Sequence, residues 1–197
     1  MADSAGQQAL LQTAADAASK ALGLDAYEFL PFAAAWRTMG EGYLAWRQQH
    51  VAAGMYFDQA ELALERPLGR VTLAGRIDRI DRKADGSSLI LDYKTESPDA
   101  TRKRVKQPLE DTQMAFYAAL RAKDNEAGAY LSLHEREGCN TIAQAHVIEA
   151  RDALLQGIEE DMDRIAGGAV LLALGEGSTC DFCKVRGLCR KDFWTAA

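Results

Sequence analysis

Hydrophobic and polar positions recur along the chain with two periods, and the changes between them outline its elements. Over residues 5–23, Leu10, Leu11, Ala14 and Ala18 sit at helical spacing and predict a helix. After the break GLDAYEF, Trp36, Met39, Tyr43 and Trp46 recur at three and four residues, predicting a longer helix over about 30–53 that Gly54 ends. The pattern then shortens to strands, predicted over 57–66, 70–81 and 88–95. KADGSS joins the last two, with Asp85-Gly86 as a hairpin signal. ESPDATRKRVKQP (96–108) reads as a polar, basic loop. Helical spacing returns over 110–123 through Met114, Tyr117, Ala118 and Leu120. Strands AGAYLSLHE (127–135) and TIAQAHVIEA (141–150) are predicted to pair around Gly138-Cys139-Asn140. An amphipathic helix over 151–167 sets Leu154, Ile158, Met162 and Ile165 on one face. The order ααβββαββα predicts an α/β domain with a central mixed β-sheet flanked by helices.

Composition narrows the setting. A chain of 197 residues fits one domain with a substantial core. With 29 acidic and 23 basic residues its net charge is -6, so it lacks the basic footprint of a domain that binds DNA unaided. No run of about 18 apolar residues is present, which argues against a membrane span. The start, MADSAGQQAL, has no charged-then-apolar signal pattern, so a cytoplasmic location is expected. Of the four cysteines, Cys180, Cys183 and Cys189 follow C-x2-C-x5-C near the C-terminus. Thiolates this close suit zinc or an iron–sulfur cluster; three free thiols or one disulfide are the alternatives. Residues 1–179 are read as the core and 180–197 as a Cys-rich segment of the same domain.

The chemistry concentrates in GRIDRIDRKADGSSLILDYKTE (75–96). Side chains alternate along a strand, so Asp92 and Lys94 project the same way, about 7 Å apart. A three-residue loop centred on Asp85 would pair Asp78 with Asp92, whereas a two-residue turn would shift the register by one. Two carboxylates brought together repel unless a cation lies between them, and oxygen ligands with room for water suit magnesium. Such an ion can polarise a phosphoryl oxygen and generate hydroxide, with Lys94 orienting the attacking water. A solvated edge strand with Asp and Arg pairing across it is the alternative. Against it, a lysine two residues from an aspartate on a central strand is costly without a task.

GRIDRID, followed by LDYKTE, resembles the nuclease motif of the PD-(D/E)XK superfamily in its RecB-like branch. QMAFY, with Gln113 and Tyr117, matches the branch's Gln and Tyr on the next helix, and CDFCKVRGLCRKDFW matches its terminal cysteine cluster. Within the branch the likeness is to the C-terminal nuclease domain of AddB-type subunits of helicase–nucleases that process double-strand breaks. The resemblance implies a restriction-endonuclease-like fold and a metal-dependent DNA exonuclease. Asp78 and Asp92 would bind Mg2+ or Mn2+, joined by the backbone carbonyl of Tyr93. Lys94 would be catalytic, and Gln113 and Tyr117 would hold the DNA backbone or the lysine. For these last two, an ordinary amphipathic helix is the alternative. Cys180, Cys183 and Cys189 would give three ligands of a 4Fe–4S cluster, and a helicase partner subunit is implied.

Two expected features are missing. The branch places a fourth cysteine and a histidine ligand upstream, yet no cysteine precedes Cys139, and His50 is the only upstream histidine. Cys139, in a predicted turn, is a poor substitute, and His50 is expected to cap its helix. Glu61 and Glu65 are further carboxylate candidates, or simply a solvated strand face. A fragment of a larger protein would account for both gaps, with an incomplete cluster and little activity expected of this chain alone; a whole protein with a degenerate site is the other account. DNA contact is signalled by Arg102, Lys103, Arg104 and Lys106, and by Lys184, Arg186, Arg190 and Lys191, all of which a solvated loop explains as well. The rival readings are a non-catalytic DNA-binding or scaffolding module with the nuclease fold, and a zinc-binding interaction domain.

Overall fold

The computed structural model describes residues 4–24, 26–106, 110–170 and 183–189. Its elements are α1 (Ser4–Ala21), α2 (Ala26–Ala52), β1 (Met55–Leu68), β2 (Val71–Lys83), β3 (Ser88–Lys94), α3 (Pro98–Arg104), α4 (Gln113–Arg121), β4 (Glu126–His134), β5 (Gly138–Gln144), α5 (Val147–Ala166) and α6 (Arg186–Cys189).

The strands form one sheet in the order β1-β2-β3-β4-β5. Neighbours are antiparallel except β3 and β4, which run parallel. Parallel neighbours need a crossover, and α3 and α4 supply it. The sheet is therefore mixed and flanked by helices, as expected. On one face Leu73, Ile77, Ile80, Ile90 and Tyr130 bury against Met114, Tyr117 and Leu120 of α4 and Val147 of α5. On the other, Leu91, Ala129 and Leu131 bury against Trp46 of α2, with Tyr43, Leu89 and Tyr93 beside them. Two glycines let α4 lie close to the sheet. A Cβ at Gly75 would stand 2.9 Å from Leu120 Cδ1, and one at Gly128 would stand 3.0 Å from Met114 Cβ.

Four expectations are corrected. The segment read as the loop 96–108 contains α3. Pro98 opens it, and Ser97 Oγ accepts a hydrogen bond from the Ala100 amide at 3.3 Å. The turn placed at Gly138–Asn140 is the start of β5, and residues 147–150 belong to α5 rather than a strand. The fourth is the start of α2, which begins at Ala26, before the predicted position.

Candidate active site

The hairpin turn sets the geometry. Asp85 Oδ1 accepts from the Ser87 amide at 2.8 Å and from Ser87 Oγ at 2.6 Å, while Gly86 takes φ +83°. The Lys83 amide donates to the Ser87 carbonyl at 2.9 Å, leaving a three-residue loop centred on Asp85. The ladder runs from Arg82–Ser88 to Arg79–Leu91. One step further the same register sets Asp78 opposite Asp92. There the Tyr93 amide donates to the Asp78 carboxylate, at 3.1 Å.

Strict alternation breaks at this point. Ile77 and Ile80 pack in the same core beneath α4, although Arg79 turns to the α2 side. The pleat is thus interrupted at Asp78. In β1 alongside, Glu61 takes φ +50°, between the pairs Ala60–Arg79 and Leu62–Ile77. Interruptions of this kind re-aim a side chain, and here they aim Asp78 at the end of β3.

Helix α4 completes the cluster. The Lys94 ammonium lies 2.7 Å from Asp92 Oδ2 and donates to Gln113 Oε1 at 2.8 Å. Gln113 Nε2 donates to Asp92 Oδ1 at 2.6 Å and to the Tyr117 hydroxyl at 3.0 Å, and that hydroxyl lies 3.3 Å from Asp92 Oδ1. Gln113 and Tyr117 are one helical turn apart, so both reach the same carboxylate. The structure thus brings Asp78, Asp92, Lys94, Gln113 and Tyr117 together. Tyr93 offers its backbone here and turns its ring to the opposite face.

Electrostatics mark Asp92 as the strained member. Burial pushes its pKa above the usual carboxylate range; Lys94 opposes that rise and Asp78 adds to it. Burial also raises the Tyr117 phenol, and the Asp92 and Asp78 charges reinforce the rise. Asp92 Oδ2 is buried and, although close to Lys94, accepts no hydrogen bond of good geometry. A carboxylate oxygen left this way is suited to a cation. Among the described residues no group of three or more His, Cys, Asp or Glu side chains could hold an ion. Asp78 and Asp92 are the carboxylates that would hold a divalent ion here, with the rest of its coordination left to water.

Other sequence candidates lie elsewhere. His50 sits in the last turn of α2, and there its Nε2 is also 2.7 Å from Asp81 Oδ2 and its ring stacks on Trp46. Glu61 and Glu65 are exposed, and Glu61 lies 3.7 Å from Arg76, as on a solvated strand face. Arg102 pairs with Asp99, and Arg104 with Glu96 and Asp111, while Lys103 and Lys106 stay exposed. Lys184 is exposed; Arg190 and Lys191 lie outside the described residues, as does Cys180. Cys183 and Cys189 are half-buried beside and within α6. Cys139 lies in β5 rather than a turn, and burial pushes its thiol up to about 11.

Two members of the site escaped sequence reading. The Tyr130 ring lies 5.1 Å from the Lys94 ammonium, and its hydroxyl donates to Asp111 Oδ1 at 2.6 Å. That same oxygen accepts from the Gln113 amide at 3.1 Å, fixing the start of α4. Asp111 two residues before Gln113 was a legible helix-start signal; Tyr130 reads as an ordinary core residue.

Comparison with known proteins identifies the family. A family model described as the PD-(D/E)XK nuclease superfamily matches residues 1–190. A solved structure titled "Crystal structure of SSO0001" aligns with 14% identity and a TM-score of 0.46, covering 76% of this chain and 66% of that one. The chain thus spans just under two thirds of that structure's length. No curated protein matches.

Proposed function

The chain belongs to the PD-(D/E)XK nuclease superfamily, whose members typically hydrolyse phosphodiester bonds with divalent metals, and from that premise we propose that it is the nuclease domain of an AddB-type helicase–nuclease subunit. The observation that carries the reading is the meeting of Asp78, Asp92 and Lys94 where the β2–β3 ladder ends, with Asp92 Oδ2 buried and lacking a well-formed hydrogen bond. In this reading Asp78, Asp92 and the Tyr93 carbonyl hold Mg2+ or Mn2+. When bound, the ion supplies Lewis-acid polarisation and a water of lowered pKa. Lys94 holds the attacking water and offsets charge on the phosphate. Gln113 and Tyr117 keep Lys94 and Asp92 in place, and the exposed lysines of the α3 region meet DNA phosphates.

The finer proposal is an exonuclease acting in double-strand break repair beside a helicase partner subunit. Residues 1–179 form its core, and 180–197 supply three cysteines to a 4Fe–4S cluster of the longer parent. A second reading, a catalytically incomplete DNA-binding or scaffolding module, is favoured by two observations: His50 is engaged by Asp81, and the described residues offer the metal two carboxylates and no third His, Cys, Asp or Glu side chain. Digestion of end-labelled duplex and single-stranded DNA with Mg2+ decides between them, using this chain and a longer one carrying an upstream histidine. Cleavage by the longer chain that Lys94→Ala abolishes supports the nuclease; DNA binding by both chains with cleavage by neither supports the module.

A further inference from the structure

The repeat GRIDRID contains a second aspartate, Asp81, for which the proposed chemistry has no use. It is fully buried on the α2 side of the sheet, and both its oxygens are engaged. Oδ2 lies 2.7 Å from His50 Nε2, and Oδ1 accepts from Arg79 Nε at 2.8 Å. Arg79 Nη1 donates to the Tyr43 hydroxyl at 2.7 Å and to the Tyr93 hydroxyl at 3.3 Å. The guanidinium also lies 5.2 Å from the ring centre of Trp46 and 5.4 Å from that of Phe57.

Chain connectivity gives this network its meaning. Arg79 follows Asp78, and Tyr93 stands between Asp92 and Lys94. The segments that carry the candidate ligands on one face are therefore joined on the other. The link lies where the ladder ends, at Arg79–Leu91, and where β2 loses its alternation. A splayed strand end would let the two carboxylates drift apart. Stability alone does not call for the arrangement, because a buried ion pair is often no better than apolar residues of similar volume.

We propose that Arg79 is a positioning residue: held by Asp81, which His50 engages in turn, it ties Tyr93 to β2 and thereby fixes the spacing of Asp78 from Asp92. The proposal rests on the reading of those two carboxylates as a metal site. It says that the metal's geometry is set from behind the sheet as well as by α4.

The test is Mn2+ affinity of this chain, read from the electron paramagnetic resonance signal of free Mn2+, with urea unfolding alongside. The variants are Asp92→Asn, Tyr93→Phe and the double replacement Arg79→Met with Asp81→Leu. The double variant is expected to unfold at close to the wild-type urea concentration and to bind Mn2+ about tenfold more weakly, as for other losses of groups supporting a metal site. Tyr93→Phe, which removes one hydrogen bond of the link, is expected to weaken binding about threefold. Should the double variant not fold, Tyr93→Phe decides, and unchanged affinity there overturns the proposal. If Asp92→Asn abolishes binding but the folded double variant binds like wild type, the positioning role is overturned and the metal site stands. If the wild-type chain binds no Mn2+, or Asp92→Asn binds it normally, the metal-site reading falls and takes the proposal with it.

Discussion

The two faces of the β2–β3 hairpin carry similar residues and settle them differently. Toward α2, Arg79 and Asp81 are buried, and each meets partners on more than one side: Asp81 has Arg79 and His50, and Arg79 has Asp81, Tyr43 and Tyr93. Toward α4, Asp92 is as deeply buried but remains raised in pKa and keeps an oxygen without a well-formed hydrogen bond. One face is closed on itself; on the other, Lys94, Gln113 and Tyr117 meet Asp92, yet burial still holds its pKa above the usual range. Natural sites give up stability in this way where function needs it. The contrast separates Asp81, the structural aspartate, from Asp92, an aspartate proposed to work.

Removing one charge from the closed face has the largest expected effect. Asp81→Ala leaves Arg79 buried and unpaired and should cost about 3–5 kcal/mol in urea unfolding. On the open face the loss falls on function instead. Lys94→Ala in a chain competent for cleavage should reduce the rate by at least about a hundredfold, with a smaller loss of stability than Asp81→Ala because Lys94 is partly exposed and Asp92, raised in pKa, can take up a proton. Equal stability losses from these two variants would erase the distinction between the faces. Gln113→Ala, which removes the bridge between Lys94 and Asp92, should slow cleavage by about tenfold, measured as kcat on duplex DNA.

A smaller effect separates the faces by pH. Asp92 has a folded-state pKa above its unfolded value, so the native state binds its proton more tightly. Stability from this group is full below the ordinary carboxylate pKa and declines as pH rises through the window up to the raised value. Asp92→Asn should therefore raise the thermal midpoint at neutral pH and lose that advantage on acidification. A midpoint equally raised at every pH would contradict the account.

Much of this was legible in sequence because it rested on local signals. The three-residue loop around Asp85-Gly86 set the register that brings Asp78 beside Asp92, and helical spacing set Gln113 and Tyr117 on one face. The errors arose where a local signal was misjudged or had a distant partner. Ser97-Pro98 is a helix start, but the charges after it read as loop. His146 adopts φ +56° just before α5, so AHVIEA read as the continuation of a strand. The partner of His50 lies 31 residues away on another element, and no spacing rule announces it. The interrupted alternation at Asp78 was likewise invisible, since it depends on β1 and on the packing of Ile77 beneath α4.

The central claim is that Asp92 stands ready for a cation. It is tested most directly by titrating the 13C-labelled Asp92 carboxyl by nuclear magnetic resonance, with and without Mg2+. Without the metal the carboxyl should titrate above the ordinary carboxylate range, and saturating Mg2+ should shift that titration to lower pH, since the ion binds the deprotonated form. A titration that Mg2+ leaves unchanged would contradict the account.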